Sequence, residues 1–136
     1  MSNIIKNKLN ILAKELHEYN CKAKWWSKEE KSWIKDFINN GKNKKLGTLL
    51  IATKLSLIHS EVSEALEGIR KDLMDDHLPN RKMVEVELAD AIIRILDLSD
   101  ALGLDIGGAL SEKFEYNKTR ADHKEKNRSS SGGKSI

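Results

Sequence analysis

Between residues 47 and 102 the chain carries two long apolar stretches with helical periodicity, and each holds two carboxylates three residues apart. The first, TKLSLIHSEVSEALEGIRK over residues 53–71, carries Glu61 and Glu64. The second, RKMVEVELADAIIRILDL over residues 81–98, carries Glu87 and Asp90. Residues three apart on a helix are surface neighbours, with Cβ atoms roughly 5–6 Å apart. Each pair can therefore offer two carboxylates to one point, and two such helices side by side can offer four. The surroundings restrict the fold further. Val84, Val86, Leu88, Ala89, Ala91, Ile92, Ile93, Ile95 and Leu96 make the second stretch apolar around most of its circumference. Such a helix is normally buried. Carboxylates rarely enter an apolar interior without partners, and an unpaired one protonates instead. Two readings are open at this point. The acids are solvated or ion-paired faces, as such short motifs often are, or they hold a hard divalent cation through oxygen ligands, for which Mg²⁺ is suited.

The rest of the chain fits around these two segments as helices. It has 136 residues and a single proline, Pro79, which predicts one all-α domain with a four-helix-bundle-like core and an additional N-terminal helix. Residues 3–19 place Ile5, Leu9, Leu12 and Leu16 at helical spacing. Ser27 followed by Glu30 is a capping box, which predicts a helix to Ile38 burying Trp33, Ile34 and Phe37, ended by Asn39, Asn40 and Gly41. The long acidic helix is expected from Gly47 to Lys71, after a basic loop over residues 42–46. Pro79 suits the first turn of the next helix. That helix should end at Leu102 with Gly103 as its left-handed cap. Asp105 should cap a last helix over 106–120, with Ala109, Leu110, Phe114 and Tyr116 facing inward. The domain is expected over 1–123, with 124–136 a polar, disordered tail.

Other side chains are open to more than one role. Trp25 and Trp26 cannot both enter one core from a helix. One can act as an apolar staple on the capping box, while core, a base or a subunit interface can take the other. Lys54 lies almost two turns before Glu61 and shares its face, either as a salt-bridge partner or as a phosphate ligand. Arg94 and Asp97 lie one and two turns beyond Asp90 and can line the same cleft or form structural salt bridges. Lys113, Asn117 and Arg120 recur on one face of the last helix, either as a phosphate or sugar grip or as a solvated face. His17 reads as a surface residue. Asp75, Asp76 and His77 read as solvated loop residues.

Charge and cysteine content narrow the class. The net charge of +3 sits largely at the ends, so no nucleic-acid partner is expected. The single cysteine, Cys21, excludes an intrachain disulfide and fits a reducing cytoplasm. The N-terminus lacks the apolar region of a signal peptide, and no apolar run is long enough to span a bilayer.

Taken together, Ser60-Glu61-Val62-Ser63-Glu64-Ala65-Leu66, Glu87-Leu88-Ala89-Asp90-Ala91-Ile92-Ile93-Arg94 and Glu112 through Arg120 resemble the MazG-like nucleotide pyrophosphohydrolases. The Trp25-Trp26 pair looks like one branch of that family, and the resemblance covers roughly residues 20 to 120. It implies an all-α bundle assembling as a homodimer or homotetramer. It implies Mg²⁺, with Mn²⁺ able to substitute, held at the positions matching Glu61, Glu64, Glu87 and Asp90. It implies cleavage of a nucleoside triphosphate, often a deoxynucleotide, between the α- and β-phosphates. Within that expectation Glu61 or Glu64 positions or deprotonates the water, and Lys54, Lys113 and Arg120 offset developing charge. Asn117 and Arg94 contact substrate, and Trp25 or Trp26 stacks on the base. Lys24 stands where that branch often has glycine, and the tail lacks the proline and His-Gly-Lys run often found there. Three competitors accompany this reading. A ferritin-like oxidoreductase would need Glu-x-x-His pairs, which the acidic helices lack. A helical adaptor would use its acids structurally. A phosphoribosyl-ATP pyrophosphohydrolase of the same superfamily would keep the chemistry and change the substrate.

Overall fold

A computed structural model describes residues 3–120. It is all-helical: α1 (Asn3–Lys22), α2 (Lys28–Ile38), α3 (Lys44–Arg70), α4 (Met83–Ala101) and α5 (Ile106–Thr119). Residues 12–104 form one compact unit, and of the described residues 3–11 and 105–120 form a second. In the larger unit α3 packs along α4 and against α2. Trp26, Ile34, Leu50 and Leu98 are its buried apolar centre, flanked by Cys21, Trp33, Ile51, Ile58, Ala101 and Leu102. The expected tail over 124–136 lies outside the described residues.

Helix ends explain how this unit turns its chain. α1 closes in a Schellman motif: Trp25 N donates to Asn20 O at 3.0 Å, and Lys24 N donates to Cys21 O at 3.2 Å. Lys24 stands at the left-handed position, with φ +63°, where glycine carries no Cβ penalty. The same pair of bonds closes α3, with Asp72 at φ +49°, and α4, with Gly103 at φ +68°. The capping box of α2 is formed as expected: Glu30 N donates to Ser27 Oγ at 3.0 Å and Ser27 N to Glu30 Oε2 at 2.8 Å. The position one turn into that helix where a staple needs an apolar partner is Lys31. Trp26 therefore goes into the core instead.

Two boundaries differ from expectation. α3 begins at Lys44, so Gly47 lies inside its first turns. A Cβ there would sit 2.4 Å from Trp33 O and 2.7 Å from Phe37 Cβ, so this glycine sets how closely α2 approaches α3. α4 begins at Met83, four residues after Pro79. Pro79 instead belongs to a loop that folds back on itself. There Asp75 N donates to Arg81 O and Met83 N to Leu73 O, each at 3.0 Å, and Met74 bridges to Lys82.

In the smaller unit Asp105 caps α5 by accepting from Gly108 N at 2.9 Å. Asn10 Nδ2 donates to Asp105 at 2.7 Å, and Asn10 Oδ1 accepts from Gly107 N at 2.8 Å. These contacts hold the Asp105 carboxyl down to about 2, the Asn10 bond contributing most. The inward face expected for α5 is open: Leu110, Phe114 and Tyr116 are each 45–58% exposed. No described helix is long and apolar enough to cross a membrane.

Candidate metal centre and adjoining cavity

The two acidic motifs meet because α3 and α4 pack lengthwise. Glu61 and Glu87 are buried at 6% and 8% exposure, and Asp90 is half-buried. One carboxylate oxygen from each lies within 4.8 Å of the others. Arg94, one turn beyond Asp90, donates from Nε to Glu61 Oε1 at 2.6 Å. One guanidinium faces three clustered carboxylates, so the charge is only partly offset. The consequence is visible in Glu87. Burial raises its carboxyl to about 7, helped by a hydrogen bond with Glu61 and by the charges of Glu64, Glu61 and Asp90. Burial and Glu61 also raise Asp90, against the lowering effect of Arg94.

The expected fourth ligand behaves differently. Glu64 is exposed and lies outside the triad, although it lines the same open cavity of about 620 Å³. Of the first pair only Glu61 is buried, held by Arg94 of α4, while Glu64 faces solvent. Asp75 corrects the reading of the loop. It is 8% exposed and lines this cavity with Glu61, Glu87, Asp90 and Arg94. Its Oδ1 accepts from His77 N at 3.0 Å and Leu78 N at 2.6 Å, and its charge pushes Asp90 upward. An Asp two and three residues before backbone donors is an Asx-turn signal, but the folding-back that buries it comes from bonds to Arg81 and Leu73. Asp76 and His77 are exposed.

A second cavity of about 250 Å³ opens beside the first and shares Asp90 and Arg94 with it. Asn20, Trp25, Lys54, Ile93 and Asp97 complete its lining. The tryptophan pair is split here. Trp25 is 70% exposed, while Trp26 is 3% exposed and offers no open face for a base. The helix of α1 has ended before the pair, so the two side chains are free of helical spacing, and Trp26 alone is held inward by its bond to Asp97. Trp26 Nε1 donates to both oxygens of Asp97 at 3.0 Å. Lys54 Nζ lies 4.1 Å from the centroid of the Trp26 ring, a cation–π contact rather than an ion pair with the acids.

Asp97 lines the cleft with Asp90 and Arg94 and also forms a structural ion pair, as expected, whereas His17 departs from its surface reading. Asp97 is 7% exposed, and His17 Nδ1 donates to its Oδ1 at 2.7 Å. His17 is thus a partner inside the fold, with its ring edge-on to Trp26 at 5.2 Å. Its Nε2 lies 3.5 Å from Cys21 Sγ. Lys113 and Asn117 lie on α5 in the smaller unit, and Arg120 is its C-cap. Lys113 Nζ is 4.7 Å from the Tyr116 ring centroid.

The triad is an oxygen-only donor set in a partly buried, negatively charged setting, and it could hold a metal ion. The adjoining cavity sets the cations Lys54 and Arg94 against the carboxylates of Asp90 and Asp97, with an exposed indole and the Asn20 amide beside them, a lining with groups for both a charged and a ring-bearing part of a ligand. Compared with known proteins, the chain matches no protein-family model, no curated protein and no solved structure.

Proposed function

We propose that this chain is a Mg²⁺-dependent nucleoside triphosphate pyrophosphohydrolase of the MazG-like kind, releasing monophosphate and pyrophosphate. The carrying observation is the juxtaposition of the Glu61–Glu87–Asp90 triad with a cavity lined by Trp25, Lys54 and Arg94. The donor set fits the cation: Mg²⁺ favours oxygen ligands and retains water, and here Glu61, Glu87 and Asp90 would hold it, with Glu64 reaching from the rim. When bound, the ion supplies charge neutralisation at the phosphate oxygens and an acidified water, and Mn²⁺ can take its place.

The chain's own residues supply the rest. Arg94 and Lys54 attract the phosphates, and Trp25 offers its open face to the base. A water attacks the α-phosphorus while its proton passes to a carboxylate, Glu61 or Glu64. The bond from the α-phosphorus to the α–β bridging oxygen breaks, and pyrophosphate leaves with that oxygen. Lys113, Asn117 and Arg120, which line neither cavity, enter this reading from the family resemblance alone, as phosphate contacts across a subunit boundary. The exposed apolar stripes support a homodimer or homotetramer: Val62, Leu66 and Ile69 on α3, and Leu88, Ile92 and Ile95 on α4, are 39–62% exposed.

Product analysis with the eight common ribo- and deoxyribonucleoside triphosphates, with and without Mg²⁺, tests the reaction. Metal-dependent pyrophosphate and monophosphate are expected. Orthophosphate as the first product would replace this chemistry with another phosphatase reaction. Turnover of phosphoribosyl-ATP alone would move the chain to that branch of the superfamily.

A further inference from the structure

We infer that the cavity beside the acidic triad selects a base bearing an exocyclic amine, cytosine or adenine, with Asp97 and Asn20 as its specificity-determining residues. The inference rests on the nucleotide reading above and concerns the end of the cavity away from the triad. Asp97 lies seven residues after Asp90 on α4, about 10 Å further along the helix axis.

The argument starts from the accounting of one carboxylate. Asp97 is 7% exposed and borders the cavity. A carboxylate offers about four acceptor sites. Oδ1 takes His17 Nδ1 at 2.7 Å and Trp26 Nε1 at 3.0 Å. Oδ2 takes only the second limb of the Trp26 bond, at 3.0 Å. Among the described residues, Oδ2 therefore keeps an open acceptor site. The group cannot swing to hide it, because Trp26 and His17 hold it from two elements and Lys54 lies over the Trp26 ring. A buried acceptor is matched by an N–H donor and penalised by a carbonyl. Asn20 borders the same cavity, and its side chain has no hydrogen-bond partner among the described residues. Its amide can donate and accept.

Cytosine and adenine present an amine donor beside a ring-nitrogen acceptor. The amine satisfies Asp97 Oδ2, as carboxylates do with the cytosine amine elsewhere, and the ring nitrogen accepts from Asn20. Guanine fits less well: its adjacent N–H donors need both oxygens of a carboxylate, and Oδ1 is already doubly used. Uracil and thymine bring a carbonyl on each side of their single ring N–H toward Asp97. A site built to bond a substrate N–H rejects the analogue lacking it far more strongly than an apolar pocket does.

The test is kcat/KM for dCTP, dATP, dGTP, dTTP and dUTP on the full chain with Mg²⁺. The pair dCTP and dUTP differs only along one edge of the base, an amine beside a ring-nitrogen acceptor against a carbonyl beside a ring N–H. At least about a tenfold advantage for dCTP over dUTP is expected, and the dATP arm shows whether one amino base or both are taken. Asn20→Ala should narrow that gap without touching the core contacts of Asp97. Asp97→Asn, checked for folding by circular dichroism, should narrow it further. Quenching of tryptophan fluorescence by dCMP and dUMP gives the same comparison without turnover. Equal rates on all five substrates, or an advantage for dUTP, would overturn the base assignment and leave the hydrolase reading intact. Neither turnover nor binding of any nucleotide would remove both.

Discussion

Glu61 is the side chain on which metal binding and water activation converge. It is buried, bonded to Arg94 and within the oxygen triad. Glu61→Gln keeps the shape and removes the charge. Pyrophosphate release should fall by at least about 10²-fold, the usual scale for a lost general base or ligand, and full activity would remove Glu61 from the mechanism. Glu87 gives a second residue-scale prediction, on stability. Its carboxyl is raised to about 7 by burial, by its bond with Glu61 and by neighbouring charge. The unfolded chain gives up that proton at lower pH, so ionisation favours unfolding. Stability from this group is present at acid pH and is lost as pH rises through about 7. Metal-free Glu87→Gln should therefore melt above the parent protein at pH 8 and converge with it only near pH 4, below the ordinary glutamate value of 4.5. Added Mg²⁺ should stabilise only the parent. Identical pH profiles for the two proteins would show that Glu87 ionises normally in the fold.

At the scale of elements, helix ends and close approaches carry the architecture. Lys24 occupies a left-handed Schellman position without being glycine. The left-handed conformation costs an ordinary residue roughly 1–2 kcal/mol, so Lys24→Gly should raise stability by about 1 kcal/mol, read from the urea midpoint. A drop would mean the Lys24 side chain contributes more than its backbone costs. Gly47 makes the opposite case. Its missing Cβ lets the carbonyl of Trp33 and the ring-bearing carbon of Phe37 approach. Gly47→Ala should cost about 1–3 kcal/mol through overpacking between α2 and α3. An unchanged denaturation midpoint would show that the two helices separate freely. These element ends were partly readable in advance. Ser27-x-x-Glu30 and Gly103 are local signals whose partners lie within a turn. Lys24 and Asp72 carry no such signal, since any residue can be forced left-handed when the following chain must turn back into the core.

At the scale of the whole molecule, the exposure of α3, α4 and α5 is the dominant fact. Leu66 and Ile69 are 60% and 62% exposed within an otherwise ordinary charged surface. Contiguous apolar area of this kind marks interaction surfaces, and self-association is the simplest way to cover it. Light scattering at micromolar concentration should give twice or four times the 15.4 kDa chain mass. Leu66→Lys with Ile92→Lys should lower that mass while leaving helical content in place. A strictly monomeric parent protein would sink the assembly reading.

The amino-acid sequence by itself determined the all-α class, the five helices and the acidic pairs, because 3.6-residue periodicity, caps and i,i+3 spacing are local properties. Tertiary packing decided which acids meet. Only the lengthwise contact of α3 with α4 places Glu61 beside Glu87 and Asp90 and leaves Glu64 on the rim. It also buried Asp75, which sits in a polar stretch and reads as solvated until Arg81 and Leu73 fold the loop back. Trp26, His17 and Asp97 are separated by up to 80 residues. Their joint burial depends on where α1, α2 and α4 come together, and no spacing along the chain encodes that.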